Sequence, residues 1–117
     1  METIVYNVLR KYAQERRVKL YLDDERKAPP GWTQIRWPDE AVGYLKRDVV
    51  DEISLDHDLG DDARGTGYDV IKWIEQAVVM NHFVPPTIKV HTANTSARVK
   101  MELGIKSIMK QHENNQR

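Results

Sequence analysis

Leu20-Tyr21-Leu22-Asp23-Asp24-Glu25-Arg26 is a short apolar run that stops abruptly in acids. Residues 18–22 read as a buried strand whose charge is gathered at its carboxyl end. The same design returns in Leu55-Asp56-His57-Asp58-Leu59-Gly60, where residues 52–56 carry Ile53 and Leu55 and terminate in carboxylates. A further strand over 87–90 leads into His91-Thr92-Ala93-Asn94. Three of the four expected strands thus end in polar, chemically active side chains.

The segments between these strands fix the fold class. Pro29-Pro30-Gly31 forces a loop, and residues 33–37 supply the remaining strand. Pro38 suits the first turn of a helix ending near Arg47, and Asp39 and Glu40 complement its dipole. Ala41, Val42 and Leu45 give that helix an apolar face. Residues 60–67 hold three glycines and read as an exposed loop. Thr66 followed by Asp69 resembles a capping box opening the next helix, whose buried stripe is Val70, Ile71, Ile74, Ala77 and Val78. After Pro85-Pro86 and the last strand, Asn94, Thr95 or Ser96 caps a final helix. There Val99, Leu103, Ile105 and Ile108 are expected to face inward, with a frayed tail from Gln111. Strands alternating with helices imply an α/β domain with parallel pairing and right-handed crossovers. Ligands of such sheets bind beyond the carboxyl ends of the strands, where the acidic ends converge.

Residues 2–16 place Ile4, Val5, Val8, Leu9 and Tyr12 on one helical stripe. Packing on the domain is the plain expectation, and self-association through this helix the alternative. The expected organisation is a helical extension over 1–17, one domain over 18–112 and a disordered tail over 113–117. The chain has 117 residues, enough to bury a core unaided. Zero formal net charge leaves no global field to attract nucleic acid or an anionic membrane. Six acids nevertheless crowd into residues 51–62. The absence of cysteine removes disulfides, thiol catalysis and cysteine-based zinc sites. It is compatible with a reducing, cytoplasmic location. No segment approaches transmembrane length, so no membrane partner is expected.

Crowded carboxylates repel one another unless a cation neutralises them. The oxygen-rich set Asp23, Asp24, Asp56 and Asp58 suits Mg²⁺ or Mn²⁺. Asp24, Asp56 and Asp58 are the candidate ligands, with Asp23 orienting a bound water. His57 and His91 are candidate acid–base groups, although either can serve in packing. Thr92, Asn94 and Arg98 are candidate phosphate contacts, helped by the N–H groups at a helix start. Capping is the simpler role for Asn94, and a solvated charge for Arg98. Gly65-Thr66-Gly67 lacks the spacing of a nucleotide fingerprint and reads as a turn. Trp32, Trp37 and Trp73 read as packing residues, with Trp32 held open as a base-stacking one.

The order of Asp23-Asp24, Asp56 and Thr92 after successive strands resembles the quartet of response-regulator receiver domains. There the acids hold Mg²⁺, the central aspartate accepts a phosphoryl group, and the hydroxyl contacts it. The motifs at 20–26, 30–32, 55–60, 66–69 and 91–94 are similar to a narrower receiver-like family, named for cyclic-phosphate processing. This resemblance implies a shortened flavodoxin/receiver-like three-layer fold, with about four parallel strands in order 2-1-3-4 and an added N-terminal helix. It also implies hydrolysis of a cyclic phosphate in a nucleotide or an RNA end. Two departures from ordinary receivers stand out. Too few residues separate Asp24 from residue 33 for a first helix, and no fifth strand brings the receiver's lysine. A regulatory module phosphorylated on Asp56, and a non-catalytic nucleotide-binding or interaction protein, are the competing expectations.

Overall fold

Pairing in the sheet is parallel throughout, as the alternation of elements requires. A computed structural model describes residues 4–5, 7–9 and 17–117. Its elements are β1 (Arg17–Leu22), β2 (Thr33–Ile35), α1 (Pro38–Arg47), β3 (Val49–Leu55), α2 (Gly67–Asn81), β4 (Thr87–Val90) and α3 (Thr95–Asn115). The strands form one sheet in the order β2-β1-β3-β4. This is the expected 2-1-3-4 receiver-like order.

Strand alternation gives the sheet two unlike faces. Leu20 and Leu22 lie in register with Ile53 and Leu55, and all four are fully buried. They share one core with Ala41 and Leu45 of α1, Val70, Ile71, Ile74 and Val78 of α2, and Met101 and Ile108 of α3. All three helices therefore cover the same face. The opposite face carries Lys19, Tyr21, Ser54 and Lys89. The second covering layer was expected from the N-terminal helix, most of which lies outside the described residues. Ile4, Val5, Val8 and Leu9 are helical, but each is exposed, so the expected packing of that stripe does not occur at these positions.

Local chemistry explains the helix starts. In α1, Glu40 Oε1 accepts from the backbone N–H groups of Arg36 and Trp37. In α2, the expected capping box forms: Thr66 Oγ1 accepts from Tyr68 N, and Asp69 Oδ2 accepts from Thr66 N. Asn94 caps α3 by accepting from Ala97 N. Caps of this kind contribute about 1 kcal/mol each.

The last helix departs from expectation in two ways. Val99 and Leu103 are exposed, whereas Ala97, Met101 and Ile108 are buried. The buried stripe passes through Gly104, where an added Cβ would lie 2.7 Å from Ile71 Cγ2. This close approach of α3 to α2 turns the helix so that the larger aliphatics at 99 and 103 face outward. The helix also runs on to Asn115 instead of fraying at Gln111, because Asn115 Nδ2 donates to Val78 O.

Candidate functional site

Asp23, Asp56 and His91 each sit one residue beyond a strand, and each is held by the neighbouring strand's terminal carbonyl. Asp23 N donates to Ile35 O, Asp56 N to Leu22 O and His91 N to Leu55 O. Pairing thus outlasts the strands by one residue, and it delivers these side chains to one edge.

Asp23, Asp24 and Asp56 each offer a carboxylate oxygen within 4.8 Å of the others. An octahedral Mg²⁺ shell at 2.0–2.1 Å spans about 4.2 Å across opposite ligands. The purely oxygen donor set and this spacing fit a hard divalent cation after a small side-chain adjustment. The surrounding pocket, about 290 Å³, is lined by Asp24, Glu25, Arg26, Asp56, Asp58, Gly60, Thr92 and Ala93. That volume suits an ion and a phosphate better than a drug-sized ligand. A larger hollow of about 460 Å³, lined by Arg17, Val49 and Thr87, lies at the amino ends of the strands and gathers no comparable chemistry.

Asp23 is only 2% exposed. Its Oδ1 accepts from Glu25 N and Arg26 N, each at 2.8 Å, and its Oδ2 accepts from Arg26 Nη1 at 3.0 Å. Burial pushes the Asp23 carboxyl up, but these bonds and the one to His91 outweigh it, so its pKa lies below the usual range. His91 Nε2 lies 3.0 Å from Asp23 Oδ2, and His91 Nδ1 lies 2.7 Å from Ser54 Oγ. Burial lowers the pKa of His91 against the opposing pull of Asp23 and Asp56. The neutral ring then carries its proton on Nε2, because a carboxylate can only accept, and the Ser54 hydroxyl donates to Nδ1.

The two histidines thus separate. His91 joins the acidic cluster, whereas His57 Nδ1 donates to Asp58 Oδ1 at 2.8 Å on the pocket's rim. Asp58, expected beside the metal, is exposed and also accepts from Asn94 Nδ2. The His57 hydrogen bond is the main cause of its lowered pKa. Asp23 stands in the carboxylate trio in its place. Thr92 is buried against the pocket, and its Oγ1 accepts from Asn94 N. Arg98 does not line the pocket. Its guanidinium donates to Val90 O and Thr92 O, at the end of β4 and just beyond it.

The residue that the sequence reading missed is Arg26. Its Nη1 lies 3.0 Å from Asp23 Oδ2 and 3.6 Å from Asp56 Oδ2. The turn in which Asp23 Oδ1 accepts two successive backbone N–H groups folds Arg26 back over the carboxylates. The Asp-Asp-Glu-Arg spacing contains this cue. Two glycines allow the close packing around the site. A Cβ on Gly67 would lie 1.9 Å from Asp56 O. Gly60 takes φ +92, and a Cβ there would come within 3.3 Å of Asp24 Oδ2.

A parallel 2-1-3-4 sheet whose strand ends deliver Asp23-Asp24, Asp56 and Thr92 to one pocket has the receiver layout. The family model described as the cyclic-phosphate processing receiver domain matches residues 18–107. The chain belongs to this family. No curated protein and no solved structure matches it. In this cyclic-phosphate processing receiver domain the described residues form a four-stranded sheet, and the loop arginine Arg26 reaches the acids.

Proposed function

We propose that this domain hydrolyses a cyclic phosphate in a nucleotide or an RNA end with the help of a divalent cation, Mg²⁺ or Mn²⁺. The observation that carries the reading is the hydrogen bond between His91 and Asp23. It ties a histidine to the same carboxylates that can hold the ion. Asp24 and Asp56 would hold the cation, which would polarise the phosphoryl oxygen or lower the pKa of a water. Asp23, kept ionised by its donors, would orient that water. His91 fixes the Asp23 carboxylate through Nε2–H, and Ser54 fixes the His91 ring. Thr92, which lines the pocket, and the backbone N–H groups entering α3 would contact the phosphate, and Arg26 would supply a movable positive charge.

The test is turnover of 2′,3′-cyclic and 3′,5′-cyclic nucleotides by the purified chain with Mg²⁺ or Mn²⁺. Hydrolysis that disappears in Asp56→Asn is the expected result. A panel left intact under both metals sinks the reading. The ion pair between Arg26 and Asp56 also favours a second reading, in which Asp56 accepts a phosphoryl group and Arg26 steadies it. Acetyl phosphate with Mg²⁺ then adds one phosphoryl mass at Asp56, and an unchanged mass rejects it.

A further inference from the structure

We propose that the sheet face opposite α1, α2 and α3 binds the nucleobase of the substrate, through an aromatic row formed by Trp32, Tyr21 and His91. The proposal rests on the cyclic-phosphate reading and names the substrate class as base-bearing.

The row is built by the sheet. Tyr21 on β1 lies in register with Ser54 on β3. Ser54 is short enough for the Tyr21 and His91 rings to meet above it, with centroids 4.3 Å apart and planes 4° from parallel. Trp32 stands edge-on to Tyr21 at 6.4 Å on the other side. Lys19 Nζ lies 5.8 Å from the Trp32 ring centre.

The side chains of this face identify its occupant. α1, α2 and α3 bury their apolar stripes on the opposite face. Here the strands offer Lys19, Tyr21, Glu52, Ser54 and Lys89, and the exposed aliphatic Val49 stands beside Arg17 at the amino end, away from the aromatic row, so the surface around the row is polar rather than apolar. Aromatic rings standing on a four-stranded sheet are instead how single-stranded RNA bases are stacked. Any base can extend such a row, because every base has a π face. Lys19 beside Trp32 adds a positive charge suited to a phosphodiester backbone. Lys89 pairs with Glu52 at 3.5 Å and frames the same surface.

His91 makes the row continuous with the phosphate pocket. One side of its chemistry is the ring stack with Tyr21, and the other is the hydrogen bond to Asp23. A base at the row therefore brings its own ribose phosphate to the carboxylate edge.

The experiment compares adenosine 2′,3′-cyclic phosphate with the base-less ester 1-O-methylribose 2,3-cyclic phosphate, in the full chain, Trp32→Leu and Lys19→Glu. The expected result is a preference for the adenosine ester in KM that falls about tenfold in Trp32→Leu, the size of one lost stacking contact. It falls less in Lys19→Glu, an exposed position whose change leaves the core intact. An equal preference in all three chains overturns the proposal. Binding of the trinucleotide ApApA, which has no cyclic phosphate, is read in parallel by tryptophan fluorescence. Binding weakened by both variants without turnover of either ester keeps the base platform and rejects the hydrolytic reading. Turnover of both esters with no response to either variant does the reverse.

Discussion

Ser54 Oγ and His91 Nδ1 are 2.7 Å apart across two neighbouring strands, and this bond leaves the other ring nitrogen to Asp23. One small hydroxyl on β3 thus helps fix the ring's orientation, while Asp23, which can only accept, sets its tautomer.

The metal-free protein is expected to lose stability on acidification in two stages. His91 has a folded pKa below its ordinary 6.5, so the unfolded chain takes up its proton first. Its contribution is complete above pH 6.5 and declines as the pH falls below that value. Asp23 and Asp58 also have lowered folded pKa values, but they are acids. Their contribution is present above about 3.8 and is lost as the pH falls through their folded values. Melting temperature measured against pH in chelator shows both stages, and His91→Gln removes the upper one. An upper stage that survives His91→Gln contradicts the assignment.

Arg26→Ala is expected to separate metal binding from phosphate chemistry. Removing a positive charge from beside Asp23 and Asp56 tightens Mg²⁺ binding by up to about tenfold, a Coulombic effect at intermediate dielectric. Loss of a charged hydrogen-bond donor slows cyclic-phosphate turnover about 10- to 100-fold. Calorimetric Mg²⁺ titration and steady-state kinetics on one preparation check the two opposite signs. Weaker Mg²⁺ binding in the variant rejects this view of Arg26.

Gly67→Ala puts a methyl group where Asp56 O already stands. The first turn of α2 or the end of β3 must then move. The expected destabilisation is about 1–3 kcal/mol, the usual range for overpacking. Denaturant unfolding measures it, and a Mg²⁺ titration shows whether Asp56 has shifted with its backbone.

The outward turn of α3 is tested by contrast. Leu103→Lys changes an exposed side chain and is expected to stay within about 0.5 kcal/mol of the parent. Met101→Ala empties a fully buried position and is expected to cost about 2–5 kcal/mol. Equal costs at the two positions contradict the placement of the helix face.

Much of the fold was legible because apolar runs, prolines and caps act locally. The β4 limits and the Thr66–Asp69 capping box depend on neighbours within a few residues and form as read, and of the candidate caps Asn94, Thr95 and Ser96 it is Asn94 that serves. The face of α3 was not legible, because Gly104 matters only once Ile71 lies against it. Within the site, the acidic strand ends were plain, but the choice between His57 and His91 was not. Alternation of side chains loses its authority where a strand stops. The hydrogen bonds that separate the two histidines come from Asp58 in one case, and from Asp23 and Ser54, distant in sequence, in the other. Arg26 escaped notice because its reach depends on the turn at Asp23, not on its position after a strand.

The sheet's outermost strands are its shortest: β2 has three residues and β4 has four. Longer edges with free backbone groups invite other chains to add on as further strands. Here Pro85-Pro86 precede β4, and Lys89 places a charge within it. Both edges of the sheet are therefore poor templates for fibril-like polymerisation.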